Sequence, residues 1–329
     1  MSDFIYRMRK TVTDYKENVL GVSEQGTFRA KPYPHILPKD KQPFNLWEGI
    51  REDAIAYFDA ESIAWHKDSH NLLSSQALCI NLFFPLRKEL ELLTGFFGSR
   101  ISGLAQVKRM HFEYIGPEGT DYLHEGGGRG QNRTSADVAL EWDGEDDTRR
   151  LLLLEFKFTE SEFGRCGGAA SKGNTDRSRC LRPEDIIRTP SAMCYLMQSK
   201  KRPYWDIILD SNGPLQTERL TLERHCPFRY DFYQLMRNQL LAHQIERDQQ
   251  SGFARASFGV VYHLDNDRLL RMGHPHGGER NPLIAWAGML KQPESFFTLT
   301  IQDLLNWIDA NLPERLHDWR NFLKIKYKL

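Results

Sequence analysis

The side chains best suited to chemistry are concentrated in residues 134–160, TSADVALEWDGEDDTRRLLLLEFKFTE. This stretch predicts a β-hairpin with arms at residues 135–142 and 149–158, separated by an acidic turn. The second arm opens with four leucines, which is typical of a strand buried on both faces. Because side chains alternate across a strand, Glu155 and Lys157 share one face. The pattern therefore places two opposite charges at the end of a core strand.

Buried charges need partners, because an unpaired charge inside a protein is costly. We expect Glu155 and Lys157 to be satisfied by each other, by Asp137 across the hairpin, or by a metal ion.

The order of these residues, Asp137 followed by Glu155-Phe156-Lys157, resembles the PD-(D/E)xK nuclease superfamily, with Ala136 in place of the proline. Three longer stretches are similar to a group of restriction-endonuclease-like proteins: SSQALCINLFFPL at 74–86, LLEFKFTESEF at 153–163 and PFRYDFYQLMRNQLLA at 227–242. The resemblance thus covers a core from about residue 74 to residue 242.

This resemblance implies an α/β fold, a restriction-endonuclease-like central mixed sheet flanked by helices, with helical N- and C-terminal additions. We expect an N-terminal extension at residues 1–70, a nuclease-like core at 71–265 and a C-terminal extension at 266–329. It also implies that Asp137 and Glu155 bind Mg²⁺, with the backbone carbonyl of Phe156 as a third ligand. Mn²⁺ should be able to substitute. Lys157 would orient the nucleophile or neutralise developing charge.

The function expected from the resemblance is Mg²⁺-dependent hydrolysis of DNA phosphodiester bonds, in restriction or anti-phage defence. Two alternatives stay open: a binding module that kept the fold and lost the chemistry, and an RNA nuclease. We expect DNA as the partner, with the chain acting as a homodimer or as a subunit of a larger defence complex.

Three more residues are candidates for the site by resemblance. Gln76 lies on a strongly apolar helix predicted over residues 71–91, Glu113 near the end of a strand predicted over 105–115, and Gln234 on a helix predicted over 227–248. The alternatives are a helix-to-helix hydrogen bond for Gln76, a strand-edge carboxylate for Glu113 and a polar helix edge for Gln234.

Candidate nucleic-acid contacts are arginines and lysines close to these elements. Arg129 and Arg133 flank the end of a glycine-rich loop just before Asp137, and Arg237 shares the helix of Gln234. An irregular basic stretch at residues 164–188 adds Lys172, Arg177 and Arg179. For Arg237 a polar helix edge stays open as the alternative, and a long irregular stretch such as residues 164–188 is usually functional or disordered.

Composition adds broad limits. The 329 residues carry 44 basic and 44 acidic side chains, so no net charge draws the chain to nucleic acid. An odd number of cysteines, five, at irregular spacing argues against a disulfide framework and, without a CxxC pair, makes a zinc site improbable. No apolar run is long enough for a membrane helix, and we expect a cytoplasmic protein.

The loop with His274, His276 and Glu279 is expected to be solvated, and the lysines at 324, 326 and 328 to lie at the surface.

Overall fold

The computed structural model describes residues 3–127, 133–274 and 276–329. Its strands are β1 Gly26–Phe28, β2 Lys31–Tyr33, β3 Leu104–Tyr114, β4 Ala136–Gly144, β5 Arg149–Lys157, β6 Arg255–Tyr262 and β7 Phe296–Thr300. Its helices are α1 Asp3–Asn18, α2 Arg51–Ala60, α3 Ser75–Phe83, α4 Leu90–Gly98, α5 Gly167–Ala170, α6 Pro183–Arg188, α7 Pro190–Met193, α8 Tyr195–Lys200, α9 Tyr204–Leu209, α10 Thr217–Thr221, α11 Tyr233–Arg247, α12 Pro282–Met289, α13 Ile301–Ala310 and α14 His317–Tyr327. Within the described ranges, none of these helices combines the length and apolar character needed to span a membrane.

A five-stranded mixed sheet in the order β3-β4-β5-β6-β7 forms the centre of the fold. The first three strands are antiparallel, as in a meander, whereas β6 runs parallel to both β5 and β7. Strand β5 therefore lies in the middle, which explains its run of leucines, since such a strand is buried on both faces. The predicted α/β class with a mixed sheet flanked by helices is confirmed.

Alternating side chains of β5 divide the interior into two apolar clusters. Leu152, Leu154 and Phe156 join the first cluster with α1, α3, α4, α13 and α14. Leu151 and Leu153 join the second with α8, α9, α11 and α12. Glu155 and Lys157 alternate in step with Leu151 and Leu153, so they face the layer that contains α11.

The terminal helices share the first cluster with the sheet. The ring of Phe158 lies 6.1 Å from that of Phe4 in α1 and 5.8 Å from that of Tyr327 in α14. The C-terminal lysines differ from the sequence expectation, because the segment is helical and Lys326 is fully buried rather than at the surface. Helical spacing, not strand spacing, turns Lys326 inward with Phe322 and Tyr327.

Two loops also differ from the expectation. His276 is buried and pairs with Glu223 at 2.7 Å from its Nδ1, so this part of the loop is not solvated. Residues 164–226, predicted to be irregular at their start, contain short helices from α5 to α10. Helices of four to six residues are too short to show a period in the sequence, which is why the pattern did not predict them.

Candidate active site

The hairpin opens at the position of Asp137. Backbone pairing between β4 and β5 ends at Val138 and Leu154. Just beyond it, the backbone N–H of Phe156 donates to Asp137 Oδ2 at 2.6 Å instead of to a backbone carbonyl of β4. The carboxylate of Asp137 thereby gives this backbone N–H a hydrogen-bond acceptor, and it is held next to the second arm.

Glu155 and Lys157 form a buried ion pair one step further along β5. Lys157 Nζ lies 2.9 Å from Glu155 Oε1, and the two residues are only 4% and 6% exposed. Gln234 of α11 bridges them, because its Nε2 donates to Glu155 Oε1 and its Oε1 accepts from Lys157 Nζ, both at 2.6 Å. Asn238, one turn later on α11, donates to Glu155 Oε2 at 2.9 Å. The predicted residues of the second arm and of α11 are therefore together.

Lys157 keeps its charge in this surrounding. Burial alone would lower the pKa of Lys157, but the carboxylates of Glu155, Glu160 and Asp137 outweigh it and raise the pKa above its usual value. The site therefore holds a fixed ammonium at neutral pH.

For Asp137, unlike Lys157, the surroundings disfavour the charged form. Burial raises the pKa of Asp137 well above its ordinary value, and the neighbouring carboxylates of Glu155 and Glu113 raise it further. Lys157 and the N–H of Phe156 oppose this effect without cancelling it. A cation beside Asp137 would favour its ionised form, so the electrostatics of this corner favour a bound positive charge.

Glu113 reaches the site through an unusual backbone conformation. Its φ is +47°, a left-handed value that costs energy for a residue with a side chain. The side chains of β3 change sides here, since Phe112 belongs to the first apolar cluster and Tyr114 to the second. The carboxylate of Glu113, 3% exposed, therefore points inward rather than following simple alternation.

Gln76 of α3 lies inside the protein, as expected, but contacts Glu113 rather than Glu155. Its Nε2 donates to Glu113 Oε1 at 2.7 Å, and its Oε1 accepts from the backbone N–H of His66 at 2.8 Å. Ser135 donates to the other oxygen of Glu113 at 2.8 Å. Gln76 therefore positions a carboxylate at the edge of the site.

An open cavity of about 160 Å³ adjoins this edge, and its lining includes Arg133, Ser135, Gln234 and Asn238. Two of the residues that line it, Arg133 and Asn238, each carry a buried polar atom without a hydrogen-bond partner among the described residues, Nη2 and Oδ1 respectively. Arg133, a predicted phosphate contact, is thus next to Gln234 and Asn238. Buried unpaired donors and acceptors are uncommon, and at a cavity wall they indicate a place where a ligand or water binds.

Arg237, also predicted to bind phosphate, contacts a carboxylate that the sequence did not reveal. Its Nε lies 2.9 Å from Glu125 Oε1, and Arg202 reaches the same oxygen at 3.0 Å. Burial raises the pKa of Glu125, but Arg237 and the hydroxyl of Tyr204, among other partners, bring it below its usual value. Glu125, the first residue of the glycine-rich segment, thus forms an ion pair with α11.

The remaining basic candidates lie away from the cavity. Lys172 and Arg177 are exposed, and Arg177 donates to the carbonyl of Ser171 at 3.2 Å. Arg179 pairs with Asp176 at 3.2 Å and donates to the carbonyl of Ala192. Arg129 lies outside the described residues.

Sequence reasoning did not assign roles to Asn238 and Glu125. The sequence could have indicated Asn238, because a residue four positions after Gln234 lies on the same helix face. Glu125 had none, since it stands in a loop without a period.

The donors suit Mg²⁺, which prefers carboxylate and carbonyl oxygens and keeps several waters. Asp137 Oδ2 is engaged with Phe156, and Glu155 with Lys157, Gln234 and Asn238. In the part of the chain that the structure describes, no three His, Cys, Asp or Glu side chains are grouped so as to hold an ion. Mg²⁺ at this place would therefore depend on the two carboxylates and a backbone carbonyl, and not on a cage of three side chains.

A mixed sheet flanked by helices, with two carboxylates and a lysine at the end of a central hairpin, defines the chain as restriction-endonuclease-like. The family model described as "Restriction Endonuclease associating with ARP" matches residues 8–328, and the chain belongs to this family. No curated protein and no solved structure matches the chain.

Proposed function

We propose that the protein is a Mg²⁺-dependent endonuclease of the PD-(D/E)xK type that hydrolyses DNA phosphodiester bonds in restriction or anti-phage defence. The observation that carries this proposal is the meeting of Asp137, Glu155 and Lys157 at one hairpin end, with Gln234 joining the last two. Membership of a restriction endonuclease family supports the same reaction class.

Each residue has a role in this proposal. Asp137, Glu155 and the backbone carbonyl of Phe156 would hold Mg²⁺, or Mn²⁺ in its place. Bound metal would supply a water of lowered pKa and a positive charge for the phosphate. Lys157 is a charged ammonium that stabilises negative charge on the phosphate oxygens or orients the attacking water. Gln234 and Asn238 fix the direction of the Glu155 carboxylate, so that its position does not depend on a mobile side chain.

Binding of DNA requires local positive charge, because the net charge is zero. Arg133 lines the cavity beside Gln234, and its Nη2, which has no partner among the described residues, is available to a phosphate oxygen. The family description names an association with ARP. We therefore also propose a partner protein, which would add DNA-binding surface.

The test is a cleavage assay on plasmid and linear DNA, with Mg²⁺ or with EDTA. Wild type should cut only with the metal, and Glu155→Gln should be inactive. Glu162→Gln is the matched control, because Glu162 forms an exposed pair with Arg165. It should cut like wild type.

A wild type that cuts neither DNA nor RNA, and that gains no thermal stability from Mg²⁺, would leave the binding module as the better account. Cutting confined to RNA would replace DNA as the substrate.

A further inference from the structure

His66 stands in the turn-rich segment between α2 and α3 and lines the cavity of about 160 Å³ beside the carboxylate site. Its side chain is 46% exposed, so the imidazole can exchange protons with water. The residue lies before position 74, outside the stretches that resemble the nuclease group, and no pattern in the sequence indicated a role for it.

The backbone of His66 is attached to α3. Its N–H donates to Gln76 Oε1 at 2.8 Å, and Gln76 Nε2 donates to Glu113 Oε1 at 2.7 Å. Ser135 donates to the other oxygen of Glu113 at 2.8 Å. One glutamine thus connects the backbone of His66 with the carboxylate that lies beside its ring.

The ring of His66 is placed against that carboxylate. Its Nε2 lies 3.5 Å from Glu113 Oε1, within ion-pair range of a protonated imidazole. Glu113 is buried and is held in its left-handed backbone conformation by the surrounding structure. A carboxylate fixed beside one ring nitrogen sets the orientation of a histidine and determines which nitrogen carries the proton. Glu113 is therefore a positioning residue for His66.

Among the described residues that line the cavity, only His66 exchanges a proton near neutral pH. The lining consists of His66, Arg133, Thr134, Ser135, Gln234, Arg237 and Asn238. Arginine keeps its proton in proteins, side-chain amides do not titrate, and aliphatic hydroxyls are very weak acids. Imidazole, by contrast, takes up and releases a proton close to neutral pH.

Lys157 does not suit the same task. Its ammonium lies 2.9 Å from Glu155 Oε1 and 2.6 Å from Gln234 Oε1, and it is not part of the cavity lining. Burial acts against the charge, but the neighbouring carboxylates raise the pKa of Lys157 above its usual value. A proton held this firmly is poorly matched to transfer at neutral pH.

Arg133 would bring a phosphate into the same space. Its Nη2 has no partner among the described residues, while its Nε lies 3.8 Å from Asp121 Oδ1. A guanidinium binds phosphate oxygens through such free N–H groups. The cavity of about 160 Å³ is also far larger than the roughly 10–15 Å³ that one water molecule needs. A phosphate bound by Arg133 would therefore share its cavity with the ring of His66.

We propose that His66 is a catalytic residue that protonates the leaving oxygen of the cleaved phosphodiester, an inference that rests on the proposed nuclease function. The oxygen of a water molecule forms a bond to phosphorus while the bond between phosphorus and the leaving sugar oxygen breaks. The attacking water releases a proton to solvent, and the leaving oxygen takes a proton from a ring nitrogen of His66. The imidazole then regains a proton from water, so the net reaction is hydrolysis.

The test compares two DNA duplexes in single-turnover cleavage with Mg²⁺ by the full chain. The ends of the wild-type products show which oxygen of a mapped scissile phosphate leaves, and the second duplex carries sulfur in place of that oxygen. A thiolate leaves without needing a proton. His66→Gln should therefore cut the oxygen duplex at least about 100-fold more slowly than wild type, but the sulfur duplex within about twofold of wild type.

His66→Asn should show the same selective loss. His317→Gln is the matched control, because His317 is an exposed histidine at the start of α14 and is not part of the cavity lining. It should match wild type on both duplexes. Thermal unfolding of the His66 variants should also match wild type, since the bond from His66 to Gln76 is made by the backbone.

Equal losses on the two duplexes by folded variants would mean that His66 binds DNA without donating a proton, and this would overturn the proposal. An unchanged rate on the oxygen duplex would overturn it as well, because the proton would then come from another group. A wild type that cuts neither duplex would contradict the nuclease function itself, so the two failures are distinguishable.

Discussion

Glu155 and Lys157 form an ion pair of 2.9 Å inside the protein, and the single amide of Gln234 bonds to both partners. The pair is neutral as a unit, whereas burial and the neighbouring carboxylates raise the pKa of Asp137. This distinction separates the effects of mutating the two carboxylates.

Glu155→Ala should destabilise the protein, because it leaves Lys157 charged and buried without its partner. Loss of one member of a buried pair costs about 3–5 kcal/mol. The double variant Glu155→Ala/Lys157→Met should lose less than the sum of the single variants, as measured by urea unfolding in EDTA. Glu162→Ala, at an exposed pair, should change stability by less than about 1 kcal/mol. Additive losses would mean that the pair does not form.

Asp137→Asn should instead stabilise the protein without metal. A carboxyl whose folded pKa is raised contributes stability that is fully present below its unfolded pKa of about 3.9 and is lost as pH rises through the folded value. The advantage of Asp137→Asn over wild type should therefore grow from about pH 4 upward. Unfolding in EDTA over this range measures it.

Mg²⁺ should make the wild type more stable than Asp137→Asn. At about 100 times its dissociation constant it should stabilise the wild type by about 2.7 kcal/mol and Asp137→Asn much less. An equal effect on both proteins would place the ion elsewhere.

Lys326 provides a pH dependence far from the proposed active site. Burial, with a smaller contribution from Arg51, lowers its pKa well below the usual value, and its ammonium nitrogen bonds to Asn45 Oδ1 at 2.7 Å. A lowered lysine pKa means that the folded state binds fewer protons, so wild-type stability should rise with pH toward the unfolded pKa of about 10.4.

Relative to Lys326→Met, the free energy of unfolding of the wild type should rise by about 1.4 kcal/mol per pH unit between the folded and the unfolded pKa of Lys326. Urea unfolding at several pH values below about 10.4 would measure it. Lys324 lies two residues earlier, on the exposed face of α14, and Lys324→Met should show no such slope. A flat difference for Lys326→Met would contradict the lowered pKa.

Arg133→Ala should weaken DNA binding and reduce its salt dependence by about one unit of slope for one lost phosphate contact. Lys108→Ala is the control, since Lys108 pairs with Asp143 at the turn end of the hairpin. Binding titrations with inactive Glu155→Gln protein at several salt concentrations would compare them. An unchanged slope for Arg133→Ala would remove Arg133 from the DNA contact.

The central hairpin could be predicted because its signals are local. Alternation and the leucine run place Glu155 and Lys157 on one face of a buried strand. Gln234 was a candidate through the resemblance to the nuclease superfamily. Glu113 was found as a candidate, but its left-handed backbone was not, because strain of this kind is imposed by the surrounding fold.

Local reasoning could not find the contacts of Glu125, or the shared cavity of Cys166, Cys180, Cys194 and Cys226, for a different reason. Their partners lie far along the chain, as Arg237 does from Glu125, and the connecting segments have no period that fixes their path. Only the folded positions of these loops bring such groups together.

The most direct measurement of the proposed catalytic site is single-turnover cleavage of a labelled DNA duplex by wild type and Lys157→Met across a series of Mg²⁺ concentrations. Wild-type cleavage should saturate with Mg²⁺. Lys157→Met should be slower by at least about 100-fold at saturating Mg²⁺, because the ammonium that stabilises phosphate charge is missing while both carboxylates remain. Equal rates for the two proteins, or wild-type cleavage that continues in EDTA, would contradict a Mg²⁺-dependent site built from Asp137, Glu155 and Lys157.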